Sequence, residues 1–197
     1  MNTYVYKYGN NLYINLTNRC SNACTFCERN KSEGIGGNSL WLEKEPAAEE
    51  VIAALKEQRF EDYDEVVFCG FGEPTYKLDE LIEIGKFLKQ NGKYVRLNTN
   101  GQGSLINGRD ITGELAAAVD AVSISLNAPT AKEYQEVCQS VYGEKAFGAM
   151  LEFAQLCVPK LKRTVLSAVD LIGAVKIEEC RAVCKRAGAE FLVRKHY

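Results

Sequence analysis

Three cysteines fall within eight residues, Cys20-Ser21-Asn22-Ala23-Cys24-Thr25-Phe26-Cys27, with the spacing C-x-x-x-C-x-x-C. Three thiolates on so tight a loop can converge on one metal centre, and soft sulfur donors favour zinc or an iron–sulfur cluster. Structural zinc takes a fourth protein ligand. The sole histidine, His196, is next to the last residue, and no fourth cysteine stands near the run. Three ligands leave one iron of a four-iron, four-sulfur (4Fe-4S) cluster open to an outside molecule, which points to chemistry rather than scaffolding.

The chain has eight cysteines in 197 residues. In an oxidising compartment that number invites a disulfide framework. The start, Met1-Asn2-Thr3-Tyr4-Val5-Tyr6-Lys7, lacks the apolar core of a signal peptide, so the expected setting is a reducing cytoplasm. Cys69, Cys138 and Cys157 are isolated, and Cys180 and Cys184 share one helix face. Two ligands do not complete a metal site, so these five are expected to fill a core. Lys plus Arg is 24 and Asp plus Glu is 26, a net charge of −2, which excludes a broad basic nucleic-acid surface. Apolar residues are 46% and charged residues 25%, typical of a globular chain, and no apolar run is long enough to span a membrane.

The elements that must position these residues alternate in type. Strands are expected at Leu12–Thr17, Glu65–Gly70, Tyr94–Asn98, Ala121–Leu126, Thr164–Val169 and Phe191–Arg194. Helices are expected from Pro46 through Leu55, over Leu78–Gln90, near Asp110–Ala118, around Thr130–Val137 and Lys145–Cys157, and over Ile177–Ala187 with Gly188 as its cap. Six strands joined by helical crossovers imply parallel pairing, in a sheet that lies open or curls toward a barrel with too few units to close. The α/β fold expected is a partial (β/α)6 barrel of the TIM type, open on one side, with residues 1–197 forming one unit.

Ligands of parallel α/β folds gather at the carboxyl ends of strands. Here the first strand leads into the cysteines, the second into Gly70-Phe71-Gly72-Glu73-Pro74, and the third into Asn98-Thr99-Asn100-Gly101. The fourth carries Ser123 and Ser125 on one face and ends at Asn127. Polar and special residues collect on one rim.

These residues resemble a family. C-x-x-x-C-x-aromatic-C after the first strand, with Phe26 as the aromatic, is the signature of radical S-adenosylmethionine (radical SAM) enzymes. Gly70-Phe71-Gly72-Glu73-Pro74 is similar to that family's Gly-Gly-Glu-Pro motif, with Phe71 as a one-residue variation. Asn98, Asn100, Ser123 and Ser125 fall where the family places cofactor contacts. The length, the opening Asn15-Leu16-Thr17-Asn18-Arg19-Cys20 and the ending Phe191-Leu192-Val193-Arg194 resemble the small radical SAM proteins associated with TatD-type hydrolases.

The resemblance implies that Cys20, Cys24 and Cys27 bind three irons of a 4Fe-4S cluster and that S-adenosylmethionine chelates the fourth. One electron from the cluster then cleaves the cofactor to methionine and a 5′-deoxyadenosyl radical, which abstracts hydrogen from an unidentified substrate. An electron donor such as flavodoxin or ferredoxin is implied, as is a functional link to a TatD-type hydrolase. Gly70 and Gly72 would let the backbone approach the methionyl ammonium, and Glu73 would face that charge or act as an acid at a helix N-terminus. Ser123 and Ser125 would reach the ribose or the methionyl carboxylate. Asn98 and Asn100 would contact the cofactor or simply form a turn, and Phe26 would stack on adenine or pack in the core.

Arg194 on the last strand would pair with a carboxylate or phosphate if it faces inward, or lie solvated at the surface. The family's adenine motif on the fifth strand is poorly matched, with Val169-Asp170-Leu171-Ile172-Gly173 the best candidate. Auxiliary-cluster enzymes of the family carry long cysteine-rich extensions, which this sequence lacks. A non-catalytic iron–sulfur or zinc redox sensor is the competing class, and it gives no role to Gly70–Pro74 or the serine pair. Within the enzyme class, an open barrel suits a protein substrate, as in glycyl-radical activases. A small-molecule rearrangement of the deazapurine type fits if Lys31–Leu42 or Gln102–Arg109 closes over the mouth.

Overall fold

A computed structural model describes residues 2–195, so His196 lies outside the described residues. The chain opens with two strands, β1 (Val5–Tyr8) and β2 (Asn11–Ile14), paired antiparallel. The cysteine loop follows, then a two-residue hairpin, β3 (Gly34–Ile35) and β4 (Asn38–Ser39). Next come α1 (Ala48–Glu57), β5 (Glu65–Phe68), α2 (Leu78–Gln90), β6 (Tyr94–Thr99), α3 (Gly103–Asn107), α4 (Thr112–Ala118) and β7 (Ala121–Ser125). The chain continues with α5 (Ala131–Cys138), α6 (Lys145–Cys157), β8 (Arg163–Val169), α7 (Ala174–Ala187) and β9 (Glu190–Arg194).

The large sheet has the order β1-β2-β5-β6-β7-β8-β9. From β2 onward every pair is parallel and every neighbour is the next strand of the sheet in sequence. An order that never reverses carries the strands around in one direction, as in a barrel. β9 and β1 do not pair, so the structure is a partial barrel of six parallel strands with one antiparallel strand at its edge. That edge strand, absent from the sequence expectation, is joined to β2 through Gly9, whose φ of +58° suits a tight turn. The expected first strand is also shortened: Asn15 to Thr17 leave the ladder to become part of the rim.

Side-chain alternation divides the sheet into two faces. Along β6, Val95 and Leu97 are fully buried in the main core under the helices, whereas Tyr94, Arg96 and Asn98 point to the concave face. The amphipathic α2 buries Leu78, Leu81, Ile84 and Leu88 on that core. Its Gly85 lies close against α4: a Cβ there would stand 2.5 Å from the Ala118 carbonyl oxygen. Thr130 caps α5 by accepting the Glu133 N–H at 3.3 Å, and Gly188 ends α7 with a φ of +74°.

Cys138, Cys157, Cys180 and Cys184 are buried in this core, as expected, and Cys184 bonds the Ala189 and Glu190 carbonyls, whereas Cys69, just past β5, is only partly buried and lies outside the core cluster. All eight cysteines are free thiols. The hairpin region packs on the β1 flank: Ile35 and Leu40 join Tyr6 and Phe71 in a second apolar cluster. α3 packs on the Pro74–Lys77 turn and on α6. No helix among the described residues is long and apolar enough to cross a membrane.

Candidate metal centre and cofactor rim

The carboxyl ends of β2, β5, β6 and β7 bring the sequence motifs to one edge of the concave face. The cysteine loop after β2 is fixed by its backbone. Ala23 N–H donates to Cys138 O at 3.1 Å and Thr25 N–H to Val137 O at 3.0 Å, while Ser21 O accepts from Val141 N–H at 2.9 Å. The Val137 and Cys138 carbonyls belong to the last turn of α5, where a helix has no internal donors left. The cysteine loop thus completes the helix, and the helix orders the loop.

Cys20, Cys24 and Cys27 are each partly buried. Burial, with Glu73 next in weight, pushes the Cys20 thiol up to about 11. The neighbouring Cys138 sulfur, together with burial, pushes the Cys24 thiol well above its ordinary value. Burial raises Cys27 as well. Among the described residues no three ligand groups stand together at metal distance. The donor set still suits an iron–sulfur cluster: three soft sulfurs on one ordered loop, with no carboxylate or imidazole among them. Cys138, an isolated core residue by sequence, proves to lie beside Cys24 and to raise its pKa.

The glycines of Gly70-Phe71-Gly72-Glu73-Pro74 are demanded by the chain itself. A Cβ on Gly70 would lie 2.0 Å from Asn15 Oδ1, and one on Gly72 would lie 2.3 Å from Thr17 O and 2.6 Å from Arg19 O. The second motif is therefore pressed against the segment that leads into the cysteines. Phe71 turns away to meet Trp41 edge-on, ring centroids 5.2 Å apart. Phe26 packs against the main core.

Glu73 is 3% exposed. Its Oε1 accepts Thr75 N–H at 3.2 Å, Thr75 Oγ1–H at 2.8 Å and Thr99 Oγ1–H at 2.8 Å, and its Oε2 accepts Asn100 N–H at 2.7 Å. The bond to Thr75 N–H also makes Glu73 the cap of the Pro74–Lys77 turn. Every donor is neutral, and among the described residues no cation pairs with it. Desolvation raises its pKa above the ordinary carboxylate range although these bonds oppose the shift.

Asn100 joins the motifs: its Nδ2 donates to Ser21 Oγ at 2.9 Å and lies 3.9 Å from Cys20 Sγ. Asn98 faces the concave side and accepts from Arg96 Nη1 at 2.6 Å, and Arg96 itself forms a two-pronged ion pair with Glu65 at 2.8 and 2.9 Å. Ser123 stands in register with Asn98 on the adjoining strand, and Ser125 in register with Ser167. Arg194 faces inward rather than to solvent. Its Nη2 reaches Ser125 Oγ at 3.4 Å and Asn127 Oδ1 at 3.3 Å, while its buried Nε–H has no partner. Burial lowers its pKa, and among the described residues no carboxylate balances it. The Val169–Gly173 segment forms a short turn at the end of β8, with Leu171 exposed.

Sequence reasoning missed a buried polar group behind the cysteines: Asn22, Gln102, Tyr134 and Ser140, each 6% exposed or less. The polar run after β6 extends one residue past Gly101 to Gln102, a signal that was present. Tyr134 and Ser140 carried no such signal, since only folding brings α5 to the loop.

The chain matches the family model of the radical SAM superfamily over residues 14–185. It therefore belongs to that superfamily and is an enzyme of this class, whose members use an iron–sulfur cluster and S-adenosylmethionine. Solved structures agree in fold. A radical SAM methyltransferase from Sphaerobacter thermophilus superposes with a TM-score of 0.65 at 15% identity, covering 97% of this chain and 68% of that one. SuiB of Streptococcus suis, bound to S-adenosylmethionine, gives 0.67 at 16% identity, covering 94% of this chain and 38% of that one. Methylornithine synthase (PylB) gives 0.62 at 12% identity, covering 95% and 53% respectively. The chain thus spans about a third to two thirds of these proteins. No curated protein matches the sequence.

Proposed function

We propose that this protein binds a 4Fe-4S cluster through Cys20, Cys24 and Cys27, holds S-adenosylmethionine on the rim, and acts on a further substrate by hydrogen abstraction. When bound, the cluster and cofactor supply one-electron cleavage to methionine and a 5′-deoxyadenosyl radical. The observation that carries this reading is a buried carboxyl and a half-buried guanidinium beside the cysteine loop, neither of them paired with an opposite charge among the described residues. Glu73 is buried among neutral donors, and Arg194 is half-buried with an unpartnered Nε–H. An amino-acid end, with its ammonium and carboxylate, complements that pair, and burial strengthens both attractions.

In this reading Gly70 and Gly72 keep the second motif against the cysteine segment, Asn98, Asn100, Ser123 and Ser125 offer polar contacts, and Phe26 with Phe71 braces the rim. The gap between β9 and β1 admits the substrate, which favours a large partner such as a protein over a fully enclosed metabolite. The segment Asn15–Cys20 and the ending Phe191–Arg194 support a functional link to a TatD-type hydrolase, and eight free thiols support a reducing cytoplasm.

Anaerobic reconstitution tests the proposal. Cluster absorption, an EPR signal changed by S-adenosylmethionine, and 5′-deoxyadenosine after reduction are expected. Bound zinc with neither cluster nor deoxyadenosine would identify a redox-sensing module instead.

A further inference from the structure

The cysteine loop and α5 form one hydrogen-bonded unit, and that unit must be held at a set distance from the rim carrying Glu73 and Asn100. Gln102 makes the connection. Fully buried, it donates from Nε2 to Asn22 Oδ1 at 2.8 Å and to Tyr134 OH at 2.9 Å. Its Oε1 accepts from Ser140 Oγ at 2.9 Å, and its backbone N–H donates to Asn100 Oδ1 at 2.9 Å. One side chain therefore bridges the cysteine loop, the middle of α5 and the loop after α5, while its backbone is tied to the residue that bonds Ser21 and Glu73.

Asn22 lies midway between Cys20 and Cys24, and its Nδ2 also reaches Tyr134 OH at 3.2 Å. Removing the Gln102 amide leaves Asn22 Oδ1 and Ser140 Oγ without these partners in a dry site, so the loop must turn or admit water. Asn100–Ser21 then remains as a side-chain tie between loop and rim.

We propose that Gln102 is a positioning residue: through Asn22 and Tyr134 it fixes the ligand loop against the cofactor rim, setting how firmly the cluster is held and how strongly it senses S-adenosylmethionine. The proposal rests on the cluster-binding reading above. It touches neither cofactor nor metal directly, so its effect passes through the loop, as outer partners of metal ligands do.

Reconstituted wild type, Gln102→Leu and Tyr134→Phe are compared, with Thr112→Val as a control for loss of a buried hydroxyl outside this network. Three quantities are read: the rate at which a chelator strips iron, the EPR spectrum of the reduced cluster with and without S-adenosylmethionine, and the thermal midpoint of the apo-protein. Gln102→Leu is expected to lose iron roughly tenfold faster and to blunt the cofactor-induced EPR change. Tyr134→Phe is expected to act in the same direction, and Thr112→Val to lower only the thermal midpoint. Wild-type iron loss and EPR response in folded Gln102→Leu, or in Tyr134→Phe if the leucine variant does not fold, overturn the proposal alone. Failure of the wild type to take up a cluster overturns the underlying reading and the proposal with it.

Discussion

Glu73 accepts four hydrogen bonds from neutral donors and, among the described residues, meets no cation. A buried carboxylate so placed has a raised pKa, and the sign follows: the folded state holds the proton more tightly than the unfolded state. Its contribution to stability is present below the ordinary carboxylate pKa and is lost as pH rises through the raised value. Apo-protein should therefore lose stability more steeply than Glu73→Gln as pH rises above the ordinary carboxylate range, measured by urea unfolding. In reconstituted protein the same substitution should weaken S-adenosylmethionine binding by roughly tenfold, read by calorimetry, while the iron content stays unchanged. Unchanged affinity would reduce Glu73 to the cap of the Pro74–Lys77 turn.

Cys24→Ala should abolish the cluster absorption while leaving the far-ultraviolet circular dichroism intact, because the loop's backbone bonds to α5 do not use the thiol. The raised pKa values of Cys20, Cys24 and Cys27 mean that a metal must displace protons. Cobalt(II) titrations of apo-protein should thus give tighter binding as pH rises from about 6 to 9.

Elements make the rim narrow. The close approach of the second motif to Thr17 and Arg19 couples β5 to the exit of β2. Gly72→Ala inserts a methyl against two backbone carbonyls, which cannot rotate aside, so a loss of about 1–3 kcal/mol is expected in equilibrium unfolding. A wild-type midpoint would show that the rim yields.

Legibility divides along the same line. α2 and α6 were readable to the residue because their apolar period and flanking residues are local. The strand β1 was not, since Val5-Tyr6-Lys7-Tyr8 is short and gains its place only by pairing with β2. The hairpin of Gly34–Ser39 is likewise set by the Tyr6 and Phe71 side chains on which it sits. At the site, spacing revealed the three cysteines, and the glycines announced a close approach. It did not say that the approach is to Asn15, Thr17 and Arg19. The inward aim of Arg194 and the contact of Cys24 with Cys138 depend on side-chain directions that no local pattern encodes.

Across the whole molecule, a single apolar core runs from Val5 in the first strand to Ala187 in the last helix. The second cluster, around Phe71, is tied to it by the exit of β2. Asn15 Nδ2 donates to Leu40 O at 2.8 Å, and Asn18 exchanges bonds of 2.7 and 3.1 Å with Leu42. Trp41 lies between those anchors and reports on the hairpin side, whereas circular dichroism reports on the helices. The two signals should give coincident denaturation curves. An earlier fluorescence transition would mean that the hairpin side opens by itself.

The bonding of the cysteine loop to the end of α5 also bears on when the metal centre is installed. Where a metal supplies the order of its own loop, insertion and folding are one event and the apo-chain is unstructured. Here the carbonyls of Val137 and Cys138 take that ordering role. Maturation is then expected as a late step on a folded chain: apo-protein should already unfold cooperatively, and protein stripped of its cluster should keep its fold and take up iron and sulfide again.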